Sequence, residues 1–247
     1  MYCPFPVAYL VRKGDNLHQI AHYYHTTVQS LLAQNPNVDP YNLQIGSTLI
    51  ICPGEDMGTL HGRMDPPGDP YARQNLAQDM RLAWEQHVYW TRLLLISIAE
   101  RLKDQDATTA RLLRNPRDIA DIFARYYNAD TANAIAQLLT EHLKIGADLI
   151  TALRDGKTEE ADRLKSQWYA NADKMAEAFS FINPYWDQNA MRDMLYKHLD
   201  LTTQEVAARL AGRYTDDAKA FDAVEQEALM MADVFTNGIM RQFPYKF

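Results

Sequence analysis

A repeat constrains this chain more than anything else in it. Ile119-Ala120-Asp121-Ile122-Phe123, Met175-Ala176-Glu177-Ala178-Phe179 and Met231-Ala232-Asp233-Val234-Phe235 align without gaps at a spacing of 56 residues. Upstream of each copy, His87, His142 and His198 recur at spacings of 55 and 56. A period of this length marks one supersecondary unit copied in tandem, and such a unit buries its apolar face only against its neighbours. The residues around the repeat are Ala, Leu, Met, Glu and Arg at helical spacing, so the unit reads as a helix hairpin. Three hairpins, about six helices, are expected over residues 73–247. Their turns are predicted at Asp104-Gln105-Asp106, at Asp155-Gly156-Lys157-Thr158 and at Gly212-Arg213-Tyr214-Thr215, the last two carrying a glycine suited to a helix C-terminus. Longer breaks, at Tyr127-Asn128-Ala129-Asp130 and at Ile182-Asn183-Pro184-Tyr185-Trp186, separate the units.

The repeat does not extend to the N-terminus. Residues 54–72, GEDMGTLHGRMDPPGDPYA, are too rich in Gly and Pro to hold a helix or strand, and they read as a linker. Residues 1–53 before it have strand and turn chemistry. Tyr9-Leu10-Val11-Arg12 is a short β-type run, and Gly14-Asp15-Asn16 makes a turn and a helix N-cap. Leu17, Ile20, Ala21 and Tyr24 have helical spacing. Thr27 caps a second helix, Asn35-Pro36-Asn37 ends it, and Gly46 precedes the strand Thr48-Leu49-Ile50-Ile51. The fold class expected is therefore a small α+β module of order βααβ, followed by an all-α domain of three hairpins.

The first part resembles a known family. The Val11-Arg12-Lys13-Gly14-Asp15 opening, the Leu17-x-x-Ile20-Ala21 helix, the Leu31-x-x-x-Asn35-Pro36 stop and the Ile45-Gly46-x-x-Leu49-x-Ile51 ending look like a LysM domain over residues 9–51. The resemblance implies binding to N-acetylglucosamine-containing glycans, that is peptidoglycan or chitin. It places the sugar between the first strand–helix loop (Gly14, Asp15, Asn16, Leu17) and the loop before the last strand (Pro40, Tyr41, Asn42, Leu43, Ile45). Acetamido groups want backbone donors, an amide or two and an apolar floor, which these residues supply. Asn16 stands where Thr or Ser is common in the family. A degenerate spacer or a protein-binding module is the competing reading.

Cys3 and Cys52 are the two cysteines of the chain. They flank a module whose first strand should start where its last one ends, so they are placed to close a disulfide; two inert thiols are the alternative. His18, His22 and His25 lie on one stripe of the first helix, more simply a solvated face than a metal site.

In the helical part, His142 falls inside the apolar stripe of its helix, with Leu138, Leu139, Gly146, Leu149, Ile150 and Leu153 within about 80° of it at 100° per residue. His87 and His198 do the same. Asn115, Asn171 and Glu227 recur 56 apart on the partner helices. In an antiparallel hairpin, residues equidistant from the turn are level, so each His is expected to face the Asn, Asn or Glu of its own hairpin. Two readings stay open. These are buried polar pairs that set hairpin register, or they belong to a metal or catalytic site. For the latter, unit three is best equipped: His198, Glu205 and Glu227 share a core face, an acceptable iron, manganese or zinc set. The Glu-x-x-His signature of di-iron bundles is absent, since Trp84, Leu139 and Leu195 stand three before each His. The helical texture is distantly similar to ferritin-like proteins. Together with Trp84–Trp90 and the Gln242-Phe243-Pro244-Tyr245 ending, it is also similar to a LysM-plus-helical family of spore-forming Firmicutes. The aromatic pairs Trp84/Trp90, Trp168/Tyr169 and Tyr185/Trp186 read as core wedges before they read as a groove.

Composition removes other classes. The chain has 247 residues, a net charge of -7 and 47% hydrophobic residues, which is ordinary for a globular protein and opposes a charge-driven nucleic-acid or anionic-membrane partner. No stretch approaches ~18 apolar residues, and the first residues do not read as a secretory leader. No phosphate-cradling glycine pattern, His-Glu-x-x-His or activated nucleophile appears, so catalysis is not the leading expectation. What is expected is a glycan-binding cell-wall or spore-layer protein with a structural or interaction domain. The alternative is a glycan-tethered metal-binding domain with redox or hydrolytic activity. Spore layers built from inside the cell, lysis release or non-classical export would reconcile wall binding with the missing leader; the cytoplasm is the other location.

Overall fold

A computed structural model describes residues 6–11, 15–40, 43–52 and 71–247. Its N-terminal module runs β1 (Val7–Leu10), α1 (Leu17–Tyr23), α2 (Val28–Gln34) and β2 (Thr48–Ile51). The strands are antiparallel, with Val7 opposite Ile51 and Leu10 opposite Thr48. Alternation decides their faces: Val7, Tyr9, Leu49 and Ile51 point into the core with Ile20, Tyr24 and Leu31. Both helix starts are capped from the sequence. Asn16 Oδ1 accepts from Gln19 N (2.9 Å), and Thr27 Oγ1 accepts from Ser30 N (3.1 Å). Asn35 then locks the module. Its Nδ2 donates to Leu31 O (2.8 Å) and Ile50 O (2.7 Å), and its Oδ1 accepts from Ile50 N (2.7 Å). One amide thus ties the end of α2 to the middle of β2.

The helical domain follows as α3 (Ala72–Ala99), α4 (Gln105–Leu112), α5 (Asn115–Phe123), α6 (Ala129–Arg154), α7 (Thr158–Ile182), α8 (Gln188–Leu210) and α9 (Tyr214–Gln242), with a short 3-10 turn at Pro244–Lys246. The hairpins are α3 with α4–α5, α6 with α7, and α8 with α9. The second arm of the first hairpin, expected as one helix, is broken into two. Pro116 sits in the first turn of α5 and has no backbone N–H to continue the ladder from α4. The break leaves the repeat intact, because α5 keeps Asn115 and Phe123 in the places of Asn171 and Phe179. The turns at Gly156 and Gly212 have φ of +68° and +70°, a conformation glycine adopts without steric cost.

The hairpins close into a ring: α5 packs on α6, α7 on α8, and α9 back onto α3. Arg81 clamps the closure, donating to both carboxylate oxygens of Asp233 at 2.8 and 2.5 Å. Because each unit contributes the same residue, the centre is built in layers of three. Phe123, Phe179 and Phe235 meet with ring centroids 4.7–5.9 Å apart, edge-on or tilted as aromatic quadrupoles favour. Trp186 covers this layer, 5.3 Å from Phe235, and its Nε1 donates to Val234 O (3.2 Å).

At one end of the ring lies a buried polar knot. Asn183 Nδ2 donates to Tyr127 Oη (2.9 Å), Tyr127 donates to Gln242 Oε1 (2.8 Å), and Gln242 Nε2 donates to Ile182 O (3.0 Å). Burial raises the Tyr127 hydroxyl pKa well above its ordinary value, so it stays a donor. The N-terminal module reaches the same end. Tyr23 packs edge-on to Phe181 with centroids 5.4 Å apart, and Tyr24 Oη lies 3.5 Å from Gln242 Nε2. The expected linker falls largely outside the described residues, as does Cys3 and with it the expected bridge to Cys52.

Candidate functional site

Two places bring chemistry together. The first is on the N-terminal module. Val11 continues the strand pairing past β1: its N–H donates to Ser47 O and its carbonyl accepts from Gly46 N, both at 2.8 Å. Gly46 turns with φ +84°, and Ser47 Oγ donates back to Gln44 O (2.7 Å). These bonds set Gly46 and Ser47, just before β2, beside Val11, just after β1. Asp15 is fixed by Tyr9, whose hydroxyl donates to Asp15 Oδ2 (2.7 Å). Asn16 is exposed but its oxygen is engaged as the α1 cap. Leu17 is buried in the module core, Leu43 is half-buried, Pro40 is exposed, and Ile45 is 66% exposed. Gly14, Tyr41 and Asn42 lie outside the described residues.

His18, His22 and His25 are all exposed. The first two border a cleft of about 470 Å³ between α1 and α7, together with Tyr9, Asp15, Tyr23 and Phe181. Phe181, an exposed ring from the helical domain, is a wall of this cleft that sequence reasoning did not find.

The second place is the ring centre, one layer from the phenylalanines. His87 on α3, His142 on α6 and His198 on α8 converge there, with ring centroids 5.8–6.3 Å apart and exposures of 2%, 3% and 4%. One nitrogen from each lies within 4.8 Å of the other two; among the described residues this is the group able to hold a metal ion. Trp84 and Trp168 flank the layer, and Trp168 Nε1 donates to His142 O (3.1 Å). Burial lowers the pKa of all three rings: His87 to about 4, His198 to about 3, and His142 well below the ordinary value, with the neighbouring His87 and His198 adding to the burial effect. The imidazoles are neutral at physiological pH.

Around them, His87 Nδ1 lies 3.0 Å from Asn115 Oδ1, and Asn115 Nδ2 donates to Ala83 O (2.8 Å). Asn171 Nδ2 donates in the same sense to Leu138 O (3.2 Å) and also reaches Glu141 Oε2 (3.3 Å). Ala83 and Leu138 each precede their His by four residues. Glu227, buried, pairs with the exposed Lys197 at 2.6 Å.

Glu205 has a different set of partners. Arg92 Nη1 donates to Glu205 Oε1 (2.6 Å) and to Asp217 Oδ1 (2.8 Å), and Arg209 reaches Asp217 and Glu100. This network ties α3, α8 and α9. Burial still pushes the Glu205 carboxyl up to about 7, against the pull of Arg92. The set His198, Glu205 and Glu227 is thus not gathered about one point, whereas one His from each hairpin is. The signal in the sequence was the repeat itself. A residue that faces inward in three copies of a closed ring must meet its copies near the axis.

A two-stranded sheet on two capped helices makes a small α/β module. Residues 9–51 match the LysM domain family. That match gives the N-terminal part the general function of the family, binding of peptidoglycan and related N-acetylglucosamine glycans. No curated protein and no solved structure matches the chain. No described helix is long and apolar enough to cross a membrane.

Proposed function

We propose that this is a peptidoglycan-binding protein of the cell wall or spore layers, in which the helical ring is a rigid structural or interaction piece held to the glycan by the module. The observation that carries the reading is the LysM match over residues 9–51, on a module in which Val11 bonds Gly46 and Ser47. The glycan would lie over Asp15 and Asn16 on one side and Pro40, Leu43 and Ile45 on the other, with Gly14, Tyr41 and Asn42 completing the two loops. Ile45 offers its side chain as apolar floor for an acetamido methyl or a sugar face. Packing of Tyr23 and Tyr24 against the ring supports a chain that presents module and ring as one unit.

The test is co-sedimentation of the full chain with purified peptidoglycan, with N-acetylglucosamine oligomers as competitor. Retention that the oligomers abolish is expected. Ile45→Asp puts a charge on the floor while leaving the core untouched, and losing about 1–2 kcal/mol of contact there weakens binding roughly 5–30-fold. A full chain that passes through the glycan fraction unretained would sink the reading.

A further inference from the structure

Three neutral imidazoles in a dry core are an expensive way to fill space. Leucine would do it without polar atoms, and here polar atoms are left over. His142 Nδ1, His198 Nδ1 and Asn171 Oδ1 are buried without a hydrogen-bond partner. Each such orphan costs about 1–3 kcal/mol. Two of these three atoms belong to the histidine layer, to which the same residue type brings all three hairpins.

At His87 the outer nitrogen is taken: Nδ1 faces Asn115 Oδ1 at 3.0 Å, and the amide is oriented by its own bond to Ala83 O. With Nδ1 carrying the hydrogen, the Nε2 lone pair is left as the ligand. The repeat gives His142 the matching Asn171, whose side chain acts on its ring, and puts Glu227 at the matching position of the third hairpin. The Asn171 oxygen is the acceptor that His142 Nδ1–H requires, and the Glu227 carboxylate, held by Lys197, is the one the repeat offers to the third hairpin. An outer acceptor that fixes tautomer and ring orientation is what metal-binding histidines have.

We propose that His87, His142 and His198 together bind one divalent first-row transition cation, zinc-like in its preference, with Asn115, Asn171 and Glu227 as positioning residues behind them. Three nitrogens on a tetrahedral cation with bonds of about 2.0–2.1 Å stand about 3.4 Å apart. The present limit of 4.8 Å must therefore contract by roughly 1.4 Å on binding. Three neutral imidazoles, with no thiolate and no carboxylate in the gathered set, suit zinc, cobalt(II), nickel or copper and not magnesium or calcium. The imidazoles are already neutral, so binding needs no deprotonation. A cation on the axis bonds all three hairpins at once, closing the ring from inside as Arg81–Asp233 closes it from outside.

The experiment uses the full chain without an affinity tag, stripped by chelator and titrated with zinc and with cobalt(II). One equivalent bound in the micromolar range or tighter is expected, with the intense visible absorption of tetrahedral cobalt and a raised melting midpoint. His142→Gln should lose that equivalent. His18→Ala/His22→Ala, which removes the exposed α1 pair, should keep it. Glu227→Gln should keep the stoichiometry but weaken binding about 10–100-fold. Should His142→Gln fail to fold, zinc-edge X-ray absorption of the wild-type complex decides by itself: three imidazole nitrogens support the site. Absence of micromolar binding, loss of the equivalent in the α1 variant, or fewer than three nitrogens at the metal would each overturn it.

Discussion

Two glycines that each lie against a tryptophan should respond to the same substitution in opposite directions. Gly146 on α6 faces Trp168, and a Cβ built there would be 3.4 Å from Cζ2, an ordinary contact. Gly238 on α9 faces Trp186, and its Cβ would fall 1.9 Å from Nε1 and 2.5 Å from Cε2. Alanine gains about 1 kcal/mol over glycine in a helix interior, so Gly146→Ala should stabilise by up to that amount. At Gly238 the ring must withdraw by more than an ångström. It is 2% exposed and backed by the phenylalanine layer, so it has nowhere to go without displacing other rings. Overpacking costs about 1–3 kcal/mol, and losing the Trp186–Val234 hydrogen bond in a buried setting costs about 1–3 more. After the helix gain is subtracted, Gly238→Ala should destabilise by roughly 3 kcal/mol, or ~6–12 °C in melting midpoint for a domain of this size. Urea and thermal unfolding followed by far-UV circular dichroism, on both variants in the presence of chelator, measures the pair. If Gly238→Ala proves as stable as Gly146→Ala, the close approach of α9 to Trp186 is wrong and the argument fails with it.

Acid should weaken the metal-free protein. His87 and His198 have folded pKa values of about 4 and 3, below the unfolded value. The unfolded chain therefore takes up protons first as pH falls through about 6.5, and stability drops. Between pH 7 and 5 these two cost about 4 kcal/mol together. Glu205, pushed up to about 7, acts in the opposite sense and returns about 2 kcal/mol. A His198→Asn variant should show about 2 kcal/mol less pH dependence in urea midpoints; an unchanged slope would count against neutral burial of that ring. In the N-terminal module, Asn35→Ala removes three hydrogen bonds, one within the end of α2 and two that tie it to β2. It should cost about 2–4 kcal/mol, read as faster proteolysis of the module while the helical domain stays intact.

What could be read ahead of the structure was local. Asn16, Thr27 and the two turn glycines act on their own neighbours within four residues, so their roles follow from chain order. The level of His87 against Asn115 followed from turn position. The layer of three did not, because closure of the ring joins α3 to α9 across more than a hundred residues, and no turn specifies it. Glu205 shows the same limit. Its inward face was legible, but Arg92, its partner from 113 residues away, was not, and so a carboxyl already held by an arginine looked available to a metal. The broken arm of the first hairpin has its cause in Pro116, which stands where the other two units have Ala172 and Ala228.

The ring closure sets this domain apart from the stacked arrays that tandem helix hairpins more often build. An open stack has two ends, frays from them, and tolerates loss of a terminal unit. Here every hairpin has a neighbour on both sides, and each supplies one third of both the histidine and the phenylalanine layers. Deleting any unit opens two interfaces and exposes both layers to water. The domain should therefore have no stable two-hairpin form, and it should unfold in one step, since no unit is terminal and none can leave first.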